Sequence, residues 1–149
     1  MFGEAEIIGE RTASIDSKHR ITIPAFTKVE TEEELMPQFN ILGNLLFVFS
    51  KDEFYRRTER FEQFLKEQIA EKKITPGEKR RLQRIYYGHL SFMPERVDKG
   101  KRMIIPERVV TKLELSDKIF MIGKDTHLEL CKDRETYERI LQERKERSR

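Results

Sequence analysis

The chain has 149 residues, of which 37% are hydrophobic and 38% charged, with a formal net charge of +3. That length suits one domain or two small halves burying roughly 70% of the extended-chain surface. The longest apolar run, residues 45–49, is far short of the roughly 20 residues that span a bilayer, and the acidic start Met1-Phe2-Gly3-Glu4-Ala5-Glu6 does not read as a signal peptide, so a cytoplasmic protein with no membrane partner is expected.

The single cysteine, Cys131, excludes an intrachain disulfide and lacks the paired spacing of a zinc or redox motif. Residues 1–49 carry four basic against eight acidic side chains, residues 50–93 eleven against seven, and residues 94–149 fifteen against twelve. None of these segments is a basic nucleic-acid-binding tail, so any such binding rests on a few placed cations.

From the N-terminus, Ile7, Ile8, Ala13 and Ile15 among polar neighbours predict a strand ending at Asp16, with Gly9 near its start. Arg20-Ile21-Thr22-Ile23 alternates polar and apolar, which predicts a second strand with Ile21 and Ile23 on its buried face. Pro24 removes a ladder donor and suits a first helical turn, so a short helix is predicted over about residues 25–35, with Pro37 stopping it. β-prone runs on either side of Gly43-Asn44 predict a hairpin. Ser50 with Glu53 is a capping box opening a helix with Phe54, Phe61, Phe64, Leu65 and Ile69 at helical spacing. Thr75-Pro76-Gly77-Glu78 opens the next, whose stripe is Leu82, Ile85, Tyr86 and His89.

From Phe92 the pattern returns: strand, charged turn, strand, Pro106 with a short helix to about Leu113, a hairpin over residues 119–130, and a helix carrying Tyr137, Ile140 and Leu141. One offset, 82, carries Asp16 to Asp98, Arg20 to Arg102 and Pro24 to Pro106, and Ser50-Lys51-Asp52 returns as Cys131-Lys132-Asp133 at 81. A copy of about fifty residues is too small for a comfortable core and leaves strand edges uncovered. Two copies interlocked about a pseudo-twofold axis are therefore expected to form one fused α+β domain. The boundaries read as a first repeat over 1–55, connecting helices over 56–90, a second repeat over 91–142 and a disordered charged tail over 143–149.

In each turn an aspartate and an arginine face each other at the base of the loop. A forked Arg–Asp pair fixes the guanidinium while leaving donors free; one isolated exposed pair would only tidy the turn, contributing about 0.2–1 kcal/mol. The duplication, with Lys18 and His19 in the first turn and Arg96, Lys99 and Lys101 in the second, points instead to phosphate contact and guanine reading.

The doubled Asp-x-Lys-Gly-Arg, hydrophobic, Ile-Pro element, each copy followed by a Gly-containing hairpin and a helix, resembles the MraZ family of bacterial transcription regulators. The likeness runs from Met1-Phe2-Gly3-Glu4 to about Tyr137 and includes Ile122-Gly123 and His127-Leu128-Glu129-Leu130. It implies two AbrB-type swapped hairpins forming one pseudo-twofold, β-barrel-like core with flanking helices. It also implies a sequence-specific double-stranded-DNA-binding regulator, mainly a repressor, acting as a ring-shaped homo-oligomer on promoter direct repeats of the division and cell-wall gene cluster, in the cytoplasm and on the nucleoid. Asp16, Arg20, Asp98 and Arg102 map onto the family's DNA-binding motif, with Lys18 and Lys99 adjoining.

Three departures stand out: His19 occupies a family glycine position, the second turn has its glycine one place early at Gly100, and residues 7–11 are extra length. If those turn positions need positive φ, His and Lys are uncomfortable there and a different loop path is expected. The alternative these departures favour is a ring-forming scaffold that grips a protein partner. No Ser/His/Asp set, Gly-rich phosphate loop or paired-carboxylate site stands out, so no enzyme activity, metal or cofactor is expected. His127 and Cys131 read as core packing, and Lys79-Arg80-Arg81 with Arg84 as a solvated helix face.

Overall fold

The computed structural model describes residues 7–40, 42–88 and 94–147. The predicted stripe position His89 and the return of the pattern at Phe92 lie outside the described residues. The elements are β1 (Ile7–Ser14), β2 (Arg20–Thr22), a 3-10 turn (Ala25–Thr27), β3 (Glu34–Phe39), β4 (Leu46–Ser50), α1 (Lys51–Ala70), α2 (Pro76–Gly88), β5 (Glu95–Arg96), β6 (Arg102–Ile104), α3 (Glu107–Lys112), β7 (Lys118–Lys124), β8 (His127–Cys131) and α4 (Arg134–Arg147).

Six strands form one antiparallel sheet in the order β1-β7-β8-β4-β3-β5, and β2 pairs with β6 as a separate ribbon. The registers relate the two halves. In the ribbon, Arg20 lies opposite Ile104, Ile21 opposite Met103 and Thr22 opposite Arg102, so adding 82 to one strand returns the other. The amide of Ile23 donates to the Lys101 carbonyl and that of Ile105 to the His19 carbonyl, both at 2.7 Å. In the large sheet Ala13 and Ser14 of β1 pair with Ile119 and Lys118 of β7, while their counterparts Glu95 and Arg96 of β5 pair with Leu35 and Glu34 of β3. The first strand of each half thus pairs with a strand of the other half. A barrel-like closure does not form: β2 and β6 pair with one another rather than bridging β1 to β5, and the six-stranded sheet stays open.

Alternation assigns the sheet its two faces. Ile119 and Met121 of β7, Leu46 and Val48 of β4, and Leu128 and Leu130 of β8 enter the main core with Ile21, Ile23, Met103 and Ile105 from the ribbon and its continuation. Phe120, Ile122 and Cys131 face the other way and pack with Tyr137 and Ile140 of α4. Capping is as the sequence predicts: Ser50 Oγ accepts from the Glu53 amide at 3.2 Å, and Thr75 and Glu78 exchange amide-to-side-chain bonds at 3.1 and 3.3 Å. α4 continues to Arg147, past the predicted start of the tail at residue 143.

The helix predicted over residues 25–35 is a correction. Only a single 3-10 turn forms, and Pro37 sits inside β3 opposite Val48. β5 covers β3 only at Glu34 and Leu35, so Pro37 lies on an otherwise open flank where a missing N–H costs little. Gly9, near the start of β1, is explained by Phe26. Gly9 and Gly123 are cross-strand partners, and a Cβ at either would approach the Phe26 ring within 2.8 or 2.2 Å, so the ring needs both positions bare. The register shift between Ile7 and Gly9 falls in the extra stretch at residues 7–11.

Candidate nucleic-acid interface

Each turn is built on its aspartate. In the first, Asp16 Oδ1 accepts from the amides of Lys18 at 2.9 Å and Arg20 at 2.8 Å, and Oδ2 accepts from Arg20 Nε at 2.7 Å. In the second, Asp98 Oδ1 accepts from the amides of Gly100 and Arg102, both at 2.9 Å, and Oδ2 from Arg102 Nε at 3.0 Å. The backbone closes identically: the Asp16 amide donates to the Arg20 carbonyl and the His19 amide to the Asp16 carbonyl, as Asp98, Arg102 and Lys101 do in the second turn. His19 has φ 58° and Lys101 φ 57°. The left-handed position is therefore held by a non-glycine residue in both turns, and the different loop path expected from the displaced glycine does not occur. The aspartate supplies enough hydrogen bonds to hold that conformation.

Those bonds also act on the carboxylates. The Arg20 amide, chief among its donors, holds Asp16 below the ordinary value of 3.8 against its partial desolvation, and the Arg102 amide does the same for Asp98. Both acids therefore stay ionised and aim an arginine.

The arginines sit on one surface. Ile21 and Met103 are 1% and 0% exposed, so the alternating neighbours Arg20, Thr22, Arg102 and Ile104 face outward from the ribbon, with Ile104 49% exposed. The register makes the two arginines diagonal neighbours, about 7–8 Å apart at their backbones. Nε is taken by the aspartate, and among the described residues neither guanidinium has a second hydrogen-bonding partner. Lys18 and Lys99 are both exposed but are not counterparts: the offset of 82 aligns Lys18 with Gly100 and Lys99 with Ser17.

No family model matches the chain. Two relatives align with most of it. A transcriptional regulator MraZ of Clostridium tetani (strain Massachusetts / E88) is 27% identical over 126 residues, covering 83% of this chain and 79% of the relative. A transcriptional regulator MraZ of Caldanaerobacter subterraneus subsp. tengcongensis (strain DSM 15242 / JCM 11007 / NBRC 100824 / MB4) is 28% identical over 127 residues, with the same two shares, 83% and 79%. The chain is similar to MraZ transcriptional regulators. The doubled turn is thus part of a sequence that resembles named transcriptional regulators along most of its length, and no helix among the described residues is long and apolar enough to cross a membrane.

Two polar clusters escaped the sequence reading. Glu53, 7% exposed, gathers Arg60 at 3.2 Å, Arg57 at 3.4 Å and Arg56 at 3.8 Å, while the Arg57 guanidinium lies 4.4 Å over Phe49; the i+3, i+4, i+7 spacing of those arginines was the available signal. On β8, His127 Nε2 lies 2.8 Å from Glu129 Oε2, and the Tyr137 hydroxyl donates to Glu129 Oε1 at 3.0 Å. Burial pushes the Glu129 carboxyl up, but the His127 hydrogen bond and the charges of His127 and Lys124 outweigh it and hold the group below its ordinary value. Cys131 is buried, pushed up to about 11 by that burial, and its thiol donates to the Asp133 carbonyl.

Proposed function

We propose that this protein is a DNA-binding transcriptional regulator of the MraZ family that reads duplex DNA with Arg20 and Arg102. The observation that carries the reading is the pair of bond-for-bond equivalent Asp–Arg turns whose arginines project from one face of a single two-stranded ribbon. A ribbon of this width fits the major groove, where an arginine recognises guanine through its O6 and N7 acceptors. Asp16 and Asp98 hold the guanidiniums, and Lys18 and Lys99 add phosphate contacts. The strand exchange between halves supports reading the core as two AbrB-type swapped hairpins, in repeats 1–55 and 91–142 joined by the helices of 56–90.

The family resemblance extends the proposal to repression of the division and cell-wall gene cluster from promoter direct repeats, by a ring-shaped homo-oligomer on the nucleoid in the cytoplasm. The scaffold alternative drew on His19 and Lys101, and the common path of the two turns removes that support. Mobility shift on the DNA upstream of the protein's own gene, titrated with salt against random competitor, tests the reading. Preference for the upstream duplex is expected; equal binding to competitor would refute sequence reading.

A further inference from the structure

α2 carries three exposed arginines alongside its contact with α1. Its inner side is fixed on α1: the Phe61 and Tyr86 rings stack at 4.1 Å and 13°, Gln83 donates to both carboxylate oxygens of Glu62 at 3.3 and 3.1 Å, and the Tyr87 hydroxyl also donates to Glu62. At 3.6 residues per turn, Arg80, Arg81 and Arg84 fall together opposite Leu82 and Tyr86 and beside Gln83 and Tyr87, and all three are exposed. Nearby acids are engaged elsewhere: Glu62 as above, Glu71 with Lys73 at 2.9 Å, and Glu78 in the cap with Thr75. Among the described residues no ion pair reaches the three arginines.

We propose that this face is a second DNA contact, one that grips backbone phosphates and reads no bases. Planar guanidiniums pair with phosphate oxygens bidentately, and a polyanion meets several of them at once. The acidic stretch at residues 30–34, which a second copy could offer instead, is partly committed: Glu33 accepts from the Glu30 amide at 3.0 Å, and Glu34 pairs with Arg96 and Lys51 at 3.3 and 3.7 Å. The inference rests on the DNA-binding reading above, and extends it from two turns to a phosphate-holding helix.

The test compares full-length wild type, R80Q/R81Q/R84Q and R20A/R102A by fluorescence anisotropy on the upstream duplex and a scrambled duplex across salt, with mass by light scattering. The helix variant should weaken binding to both duplexes by one common factor. It should also lower the slope of log affinity against log salt by about 0.9 for each phosphate no longer neutralised, close to 3 in all, while leaving the ratio between duplexes and the mass unchanged. R20A/R102A should instead collapse that ratio. Wild-type affinity and slope in the helix variant would overturn the proposal, as would a changed mass with unaltered DNA binding, which assigns the face to subunit contact. Wild type that binds neither duplex would refute the DNA-binding reading itself, an outcome distinct from both.

Discussion

Asp16 and Asp98 each accept two backbone amides and one arginine Nε, and the whole shape of each turn follows from those three bonds. Because both carboxyls are depressed in the folded state, their contribution to stability is present at neutral pH and is lost as pH falls below the unfolded value near 3.8 and through the folded ones. Carboxyl carbon shifts followed by NMR should place both midpoints below 3.8; a midpoint at or above it would deny the carboxylate its organising role. The left-handed φ at Lys101 carries a side-chain cost of about 1–2 kcal/mol, offset by the 0.5–1 kcal/mol of chain entropy that glycine loses on folding. Lys101→Gly should therefore raise stability in chemical denaturation by roughly 0.5 kcal/mol with the turn path unchanged. These conformations were not legible in the sequence, because the glycine that usually marks a positive φ stands one place earlier, at Gly100.

At the scale of elements, the contact between Phe26 and the paired glycines gives a sharp expectation. Gly123→Ala sets a Cβ 2.2 Å from the Phe26 ring and should cost about 1–3 kcal/mol by overpacking, whereas in a Phe26→Ala background the same change should be nearly neutral. Urea denaturation of the four proteins measures that non-additivity; equal costs in both backgrounds would contradict the contact. Alternation made β2 legible, with Ile21 buried between the outward Arg20 and Thr22, whereas β7, apolar on both faces, was legible from the return of the first half's pattern. The capping residues Ser50 and Thr75 marked the starts of α1 and α2. β3 was illegible because Pro37 and the acids before it read as a helix and its stop, and only tertiary placement on the sheet's open flank makes a proline acceptable there. The Glu129, His127 and Tyr137 cluster joins β8 to α4, and no local spacing announces a contact between a strand and a later helix.

For the whole molecule, the offset of 82 is what made the site readable: it identified both turns, and the register of the ribbon follows the same relation, whereas in the sheet the partners of β1 and β5, Ile119 and Leu35, stand 84 apart. What the offset does not reveal is that β2 pairs with β6, which brings Arg20 and Arg102 onto one face. Two turns touching about two phosphates lose only about tenfold in affinity between 50 and 200 mM salt, whereas about eight contacts lose around ten-thousandfold. A steep measured slope would thus call for the α2 arginines, for several subunits acting together, or for both. The central claim is that the paired arginines read DNA. Anisotropy of wild type, R20A, R102A and R20A/R102A on the upstream and scrambled duplexes, with circular dichroism to show that all four fold, tests it most directly. Each single change should lose about 1–3 kcal/mol of discrimination, to a similar extent because the turns are equivalent, and the double variant should lose all preference. Undiminished binding and preference in the folded double variant would contradict the account.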